Sequence, residues 1–80
     1  MKIDELQNHS IFQFIGPNKY PKDRYYQKQF VYHTLVERRR RDVVPVERSS
    51  GPWKRSSEHV LSDIRPGTDV MVVLRTTDVL

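Results

Sequence analysis

Eighty residues with no cysteine, and with no apolar run near the roughly 18 of a membrane span, exclude a disulfide framework, a thiolate metal site and a transmembrane helix. Fourteen Lys or Arg against ten Asp or Glu give a formal net charge of +4, unevenly spread: residues 19–55 carry +7, residues 1–18 carry −1 and residues 56–80 carry −2. One central segment is therefore basic, which points to a polyanion or an acidic protein surface as partner and not to a membrane.

The length fits one small basic domain over residues 1–80, with a net stability of only a few kcal/mol. Self-association would add buried area, so a homodimer suits a chain this short. Eight aromatic residues argue against full disorder. The absence of cysteine suits a reducing compartment, and residues 1–7 lack the apolar core of a signal peptide. A cytoplasmic protein is the expectation.

In chain order, residues 3–9 predict a short helical turn with Ile3 and Leu6 on one side, held by packing because it is too short to persist alone. Residues 11–15 predict a strand with Phe12 and Phe14 on one face and Ile11, Gln13 and Ile15 on the other. Gly16-Pro17-Asn18-Lys19 ends it, with Pro17 presetting φ at turn position i+1 and Asn18 a residue that tolerates left-handed geometry at i+2. Residues 18–28 read as an irregular connection in which Lys19, Lys22, Arg24 and Lys28 interleave with Tyr20, Tyr25 and Tyr26.

The strongest strand signal is residues 29–37: Phe30, Tyr32, Thr34 and Val36 alternate with Val31, His33 and Leu35. Arg38, Arg39, Arg40 and Arg41 follow, then Val43-Val44-Pro45-Val46-Glu47-Arg48, where Pro45 requires an edge or a bulge. Between Val36 and Val43 there is no Gly, Pro or Asn for a tight hairpin. The arginines therefore belong either at the tip of a longer loop, the favoured placement, or on strands that continue through a twist.

Ser49-Ser50-Gly51-Pro52 breaks the chain again. Residues 56–64 fit a helical turn capped by Ser56 or Ser57, with Glu58 in its first turn, or a short strand at 59–61. Arg65-Pro66-Gly67-Thr68 predicts a type II turn. Residues 69–75 are apolar on both faces and predict a strand in the middle of a sheet. The fold class that follows is mainly β: a small, strongly curved antiparallel sheet, or an SH3-like or OB-like barrel, of four or five short strands with one or two helical turns.

Four adjacent guanidiniums repel one another, so Arg38–Arg41 make most sense facing an anion. An edge strand protected by charge would more often use lysine. Lys54 and Arg55 extend the basic set, and Tyr25, Tyr26 and Trp53 supply rings for base stacking beside it. For any one of these tyrosines, and for Trp53, the favoured role is cover for a thin core. His9, His33 and His59 lack metal-ligand spacing, so no metal or other cofactor is expected.

No catalytic motif is present. A small metal-independent ribonuclease would have to use His33 or His59 with Glu37 or Glu58. The leading expectation is instead a nucleic-acid-binding module of low sequence specificity. RNA or a single strand is slightly preferred, because no helix is long enough to read a major groove. An adaptor or inhibitor that docks its basic face on an acidic protein is the alternative.

Overall fold

The computed structural model describes residues 1–29, 31–33, 38–40, 42–48, 52–56, 60–62 and 64–75, with 31–33 and 38–40 as backbone. The fold is mainly β. Seven short strands run as β1 (Ile11–Phe14), β2 (Tyr25–Lys28), β3 (Val31–His33), β4 (Arg38–Arg40), β5 (Val43–Glu47), β6 (Lys54–Arg55) and β7 (Val70–Leu74). Five form an antiparallel sheet in the order β6-β5-β2-β1-β7, and β3 pairs with β4 alone. The order is linear with β6 and β7 as outer strands, so the described strands form an open sheet. The only helical element among them is the 3₁₀ turn Ile3–Glu5. No helix among the described residues is long and apolar enough to cross a membrane.

Two placements differ from the sequence reading at the centre of the chain. Tyr25–Lys28, expected to be irregular, is a strand between β1 and β5. The arginines, favoured at a loop tip, lie on a strand instead, with Arg38 opposite His33, Arg39 opposite Tyr32 and Arg40 opposite Val31. Residues 34–37, which join these strands, and Arg41 lie outside the described residues.

The β2–β5 and β3–β4 pairings share one register. Tyr25 lies opposite Val46 and Lys28 opposite Val43; the Gln29 N–H then donates to the Asp42 carbonyl at 3.0 Å, and Val31 lies opposite Arg40. The described pairs on both sides keep the same offset, so the two pairings have the register of one long hairpin.

The flanking chain stops at one level of that hairpin. On one side Lys28 exchanges backbone bonds with His9 and Ser10, and His9 turns away with φ 72. On the other side Val43 exchanges bonds with Leu61, at 2.8 and 3.0 Å. Beyond Lys28 and Val43, β3 and β4 have only each other as strand neighbours among the described residues.

The core lies on one face of the sheet. Phe12 and Phe14 meet edge to face at 5.2 Å, Tyr26 packs on both, and Ile3, Leu6, Val43, Ile64 and Val70 complete the cluster. Phe12 and Phe14 thus share the face that their alternation predicts. Tyr20 stacks on Phe14 at 4.4 Å and covers the cluster's rim. Lys28, on the same face as Tyr26, is buried and donates its ammonium to the Ile3 and Leu6 carbonyls. That contact ties the 3₁₀ turn to the sheet.

Several local expectations change. Asn18 is not left-handed; Gly16 is, at φ 82. Asn18 works through its side chain, donating to the Ile15 carbonyl at 2.9 Å and accepting from the Tyr20 N–H at 3.1 Å. The turn at 65–68 forms where expected, closed by Thr68 N–H to Arg65 O at 3.1 Å. Gly67 lacks the positive φ of a type II turn.

β7 lies at the edge of the sheet rather than its middle, and its second face is open, with Met71 49% and Val73 36% exposed. Within 56–64 the described residues show an extended contact at Leu61 and no helix. Residues 57–59 lie outside the described residues.

Pro45 has strands on both sides, and its carbonyl accepts from Ser56 N–H at 2.8 Å. Its missing donor therefore also faces the β6 side. There the pairing shifts between Val46–Arg55 and Val43–Leu61, which is the irregularity that a proline requires.

Candidate nucleic-acid interface

Strand parity sorts the candidate residues. Tyr25 lies opposite Val46, and Val46 lies opposite Arg55, so these three share the face opposite the aromatic core. Trp53, two residues before Arg55, joins them: its ring meets Tyr25 edge to face at 5.0 Å. The guanidinium of Arg48 lies 5.9 Å from the Trp53 ring centre, within cation–π reach. Tyr25 is 37% exposed, Trp53 is half-buried, and Arg48 and Arg55 are exposed. The result is a surface cluster of two rings and two guanidiniums. It also shields Val46, which is buried although it lies opposite the main core.

Tyr26 leaves the candidate set. Its neighbour Tyr25 takes the outer face, so the two-residue period turns Tyr26 inward, where it is 3% exposed. Burial raises its phenol pKa, partly offset by the charge of Arg24. A ring enclosed between Phe12 and Phe14 offers no face to a base. Tyr20 is likewise occupied by Phe14. Lys28 is turned to backbone carbonyls inside the molecule and is closed to phosphate. Of the three tyrosines interleaved with cations, Tyr25 is the most exposed; Tyr20 is half-buried, stacked on Phe14 with the Lys19 ammonium 5.7 Å from its ring centre.

Lys54 and Arg55 are exposed on the edge strand β6, but on opposite faces: Lys54 lies opposite Glu47 and Arg55 opposite Val46. A shallow cleft of about 280 Å³ opens beside Tyr25, lined by Asp23, Arg24, Glu47, Arg48 and Ser56 among others. Two carboxylates and two guanidiniums share that wall. The cleft by itself therefore has no net preference for an anion.

The arginine strand is separate from this cluster. Arg40 lies six residues along the chain from Val46, a span of up to roughly 20 Å at a strand's rise. Register parity places positions 38 and 40 on the Tyr25 face of the hairpin and position 39 on the other. The structure thus divides the predicted set: Tyr25, Trp53 and Arg55 meet at the body of the sheet, and Arg38–Arg40 stand on the far part of the hairpin. Arg41, His59, Glu37 and Glu58 lie outside the described residues. His33 is placed opposite Arg38. No group of three His, Cys, Asp or Glu among the described residues could hold a metal.

Arg48 is the residue that sequence reading misses. It is read only as the end of a strand, yet the β5–β6 pairing folds Trp53 back beside it. The signal is the Glu47-Arg48 to Trp53-Lys54 spacing across Gly51-Pro52, a hairpin that brings a cation to an aromatic. No family model matches this chain, and no match is found among curated proteins or solved structures. Function must be argued from the residues themselves.

Proposed function

We propose that this protein binds nucleic acid through its long hairpin, with little sequence preference. The observation that supports this reading is the position of Arg38–Arg40. Three consecutive arginines occupy a two-stranded ribbon beyond the level at which β1 and Leu61 stop flanking it. Glu47 and Asp23 lie away from them, lining the cleft at the other end of β2 and β5, while Asp42, paired with Gln29 at the base of the ribbon, and Glu37, next to Arg38 in the sequence, offset only part of the charge of the run. Guanidiniums concentrated in this way gain most from phosphates, which accept their forked N–H donors and release counterions on contact.

The cluster of Tyr25, Trp53, Arg48 and Arg55 gives the interface a second contact region, with rings for stacking and cations for the backbone. Contacts of both kinds hold a strand in place without reading its sequence.

Salt dependence of binding tests the reading. With about four to six phosphates neutralised, log K should fall with log salt at a slope of roughly −3 to −5. Replacing Arg39 and Arg40 by Ala should flatten that slope by about one to two. If the wild type binds no oligonucleotide of any kind at low salt, the reading is wrong, and the basic ribbon is left for an acidic protein surface.

A further inference from the structure

We infer that the nucleic acid bound is single-stranded, with an unpaired base stacked on the Tyr25 ring beside Trp53. This rests on the nucleic-acid reading and narrows its substrate class from any polyanionic strand to one whose bases are unpaired. Every base has a face to stack, so the selection is for strandedness and not for sequence.

Ring geometry comes first. Within a duplex each base is covered on both faces by its neighbours and shows only its edges in the grooves. A ring platform needs a face. Tyr25, 37% exposed, is the most open aromatic side chain among the described residues. Its contact with Trp53 is edge to face, with 5.0 Å between ring centres and 66° between planes. In such a pair one ring covers at most one face of the other, whereas a stacked pair loses two. Tyr20 on Phe14, at 4.4 Å and 21°, is the stacked case and lies against the core. The Tyr25–Trp53 pair therefore keeps ring surface open on the outer face of the sheet.

The charges beside these rings suit one backbone and oppose two. Arg48, 5.9 Å from the Trp53 ring centre, and Arg55 on the same face are exposed and have no ion pair among the described residues. The cleft beside Tyr25 also carries Asp23 and Glu47. A flexible single strand can turn its phosphates to the guanidiniums and its base to the ring, clear of the carboxylates. A duplex is stiff and carries phosphates along both strands. Laid on this face, it would set one row against Asp23 and Glu47, where like charges repel.

Fluorescence on the full chain, in low salt, separates these substrates. The probes are a labelled 20-base DNA strand, its duplex, and an abasic strand of equal length that keeps the phosphates and lacks the bases. The intact strand should bind at least about tenfold more tightly than either of the others, as stacking of one or two bases gives. Saturation with the intact strand should quench Trp53, the only tryptophan in the chain, and saturation with the abasic strand should not. Tyr25→Leu keeps apolar cover over Val46 but removes the ring. With an unchanged far-UV spectrum, it should lose at least about fivefold on the intact strand and less than about twofold on the abasic one. Tyr25→Phe, which keeps the ring, should stay within about twofold on both.

A duplex or an abasic strand that binds as tightly as the intact strand overturns the single-strand assignment and leaves the general nucleic-acid reading intact. So does a folded Tyr25→Leu that binds the intact strand as the wild type does. Should that variant unfold, the abasic comparison and the Trp53 emission of the wild type decide. Binding to none of the probes overturns both.

Discussion

Lys28 shows how far a residue's role can depart from its composition class. In the sequence it adds to the basic segment; in the structure it is 1% exposed, with its ammonium on the Ile3 and Leu6 carbonyls. Burying an ammonium is costly unless its donors are used; here they go to the Leu6 carbonyl at the end of the 3₁₀ turn and to the Ile3 carbonyl, which also accepts the Leu6 N–H. Removing it loses both the stem's packing and those bonds. Lys28→Ala should therefore destabilise the protein by about 2–4 kcal/mol, measured as a lower urea midpoint with an unchanged slope. In the native wild type, acetic anhydride should modify Lys19, Lys22 and Lys54 and spare Lys28; modification of Lys28 at a comparable rate would contradict its burial.

A second residue-scale contact, Lys2 to Asp69 at 2.7 Å, fastens the start of the chain to β7 beside the Val70 N–H to Met1 O and Ile3 N–H to Thr68 O bonds. The hydrogen bond from Lys2, with its charge and that of the N-terminus, lowers the pKa of Asp69. A carboxylate with a depressed folded pKa binds fewer protons folded than unfolded. Its contribution is thus present above the ordinary aspartate value of roughly 4 and is lost as pH falls through the folded value. In Lys2→Ala the Asp69 carboxyl should titrate nearer to its ordinary value, followed by its carbon chemical shift. The variant should also lose less stability than the wild type on acidification through that range. An unchanged Asp69 titration would separate the shift from Lys2.

Turns and strands were legible in the sequence to different degrees, for physical reasons. Ile11–Phe14 was readable because Phe12 and Phe14 alternate with residues of the other face. Tyr25–Lys28 was not: Pro21 and scattered charge obscure it locally, and the strand exists because β1 and β5 bond it from both sides. Four identical arginines have no alternation to read, so their strand is set by the partner Val31–His33. For the candidate interface, exposure of Tyr25 and burial of Tyr26 follow from register alone, which no composition argument supplies.

The two predicted glycine turns divide in the same way, and they give a paired test. Gly16 has φ 82, and a Cβ there would approach the Asp69 carboxylate at 3.4 Å. Gly67 has ordinary φ, and an added Cβ meets nothing within 4 Å. Gly16→Ala should destabilise by about 1–2 kcal/mol, while Gly67→Ala should stabilise by about 0.4–1 kcal/mol by restricting the unfolded chain. Thermal melts of both variants check the opposite signs; equal losses would mean that Gly67 also needs its conformational freedom.

At the scale of the molecule, the division between a packed sheet and a projecting ribbon predicts that stability and binding can be removed separately. The described core cluster is built from the sheet body, the 3₁₀ turn with its cap Leu6, and Ile64. Excising residues 30–41 and joining Gln29 to Asp42 through Asn-Gly keeps the register, since that pair already faces across the hairpin, and supplies the residues a two-residue turn prefers. The shortened protein should keep its β-type far-UV spectrum and melt cooperatively, but lose nucleic-acid binding by at least tenfold.

Val70→Asp should do the reverse of that excision to the fold. Val70 is 1% exposed in the core, and an unpaired buried carboxylate costs more than a domain of this size can spare. Met71→Asp, one residue along on the open face, is the control and should remain folded. A shortened hairpin that unfolds would show that the ribbon supports the sheet, whereas one that folds and binds as the wild type does would move the interface to Tyr25, Trp53, Arg48 and Arg55.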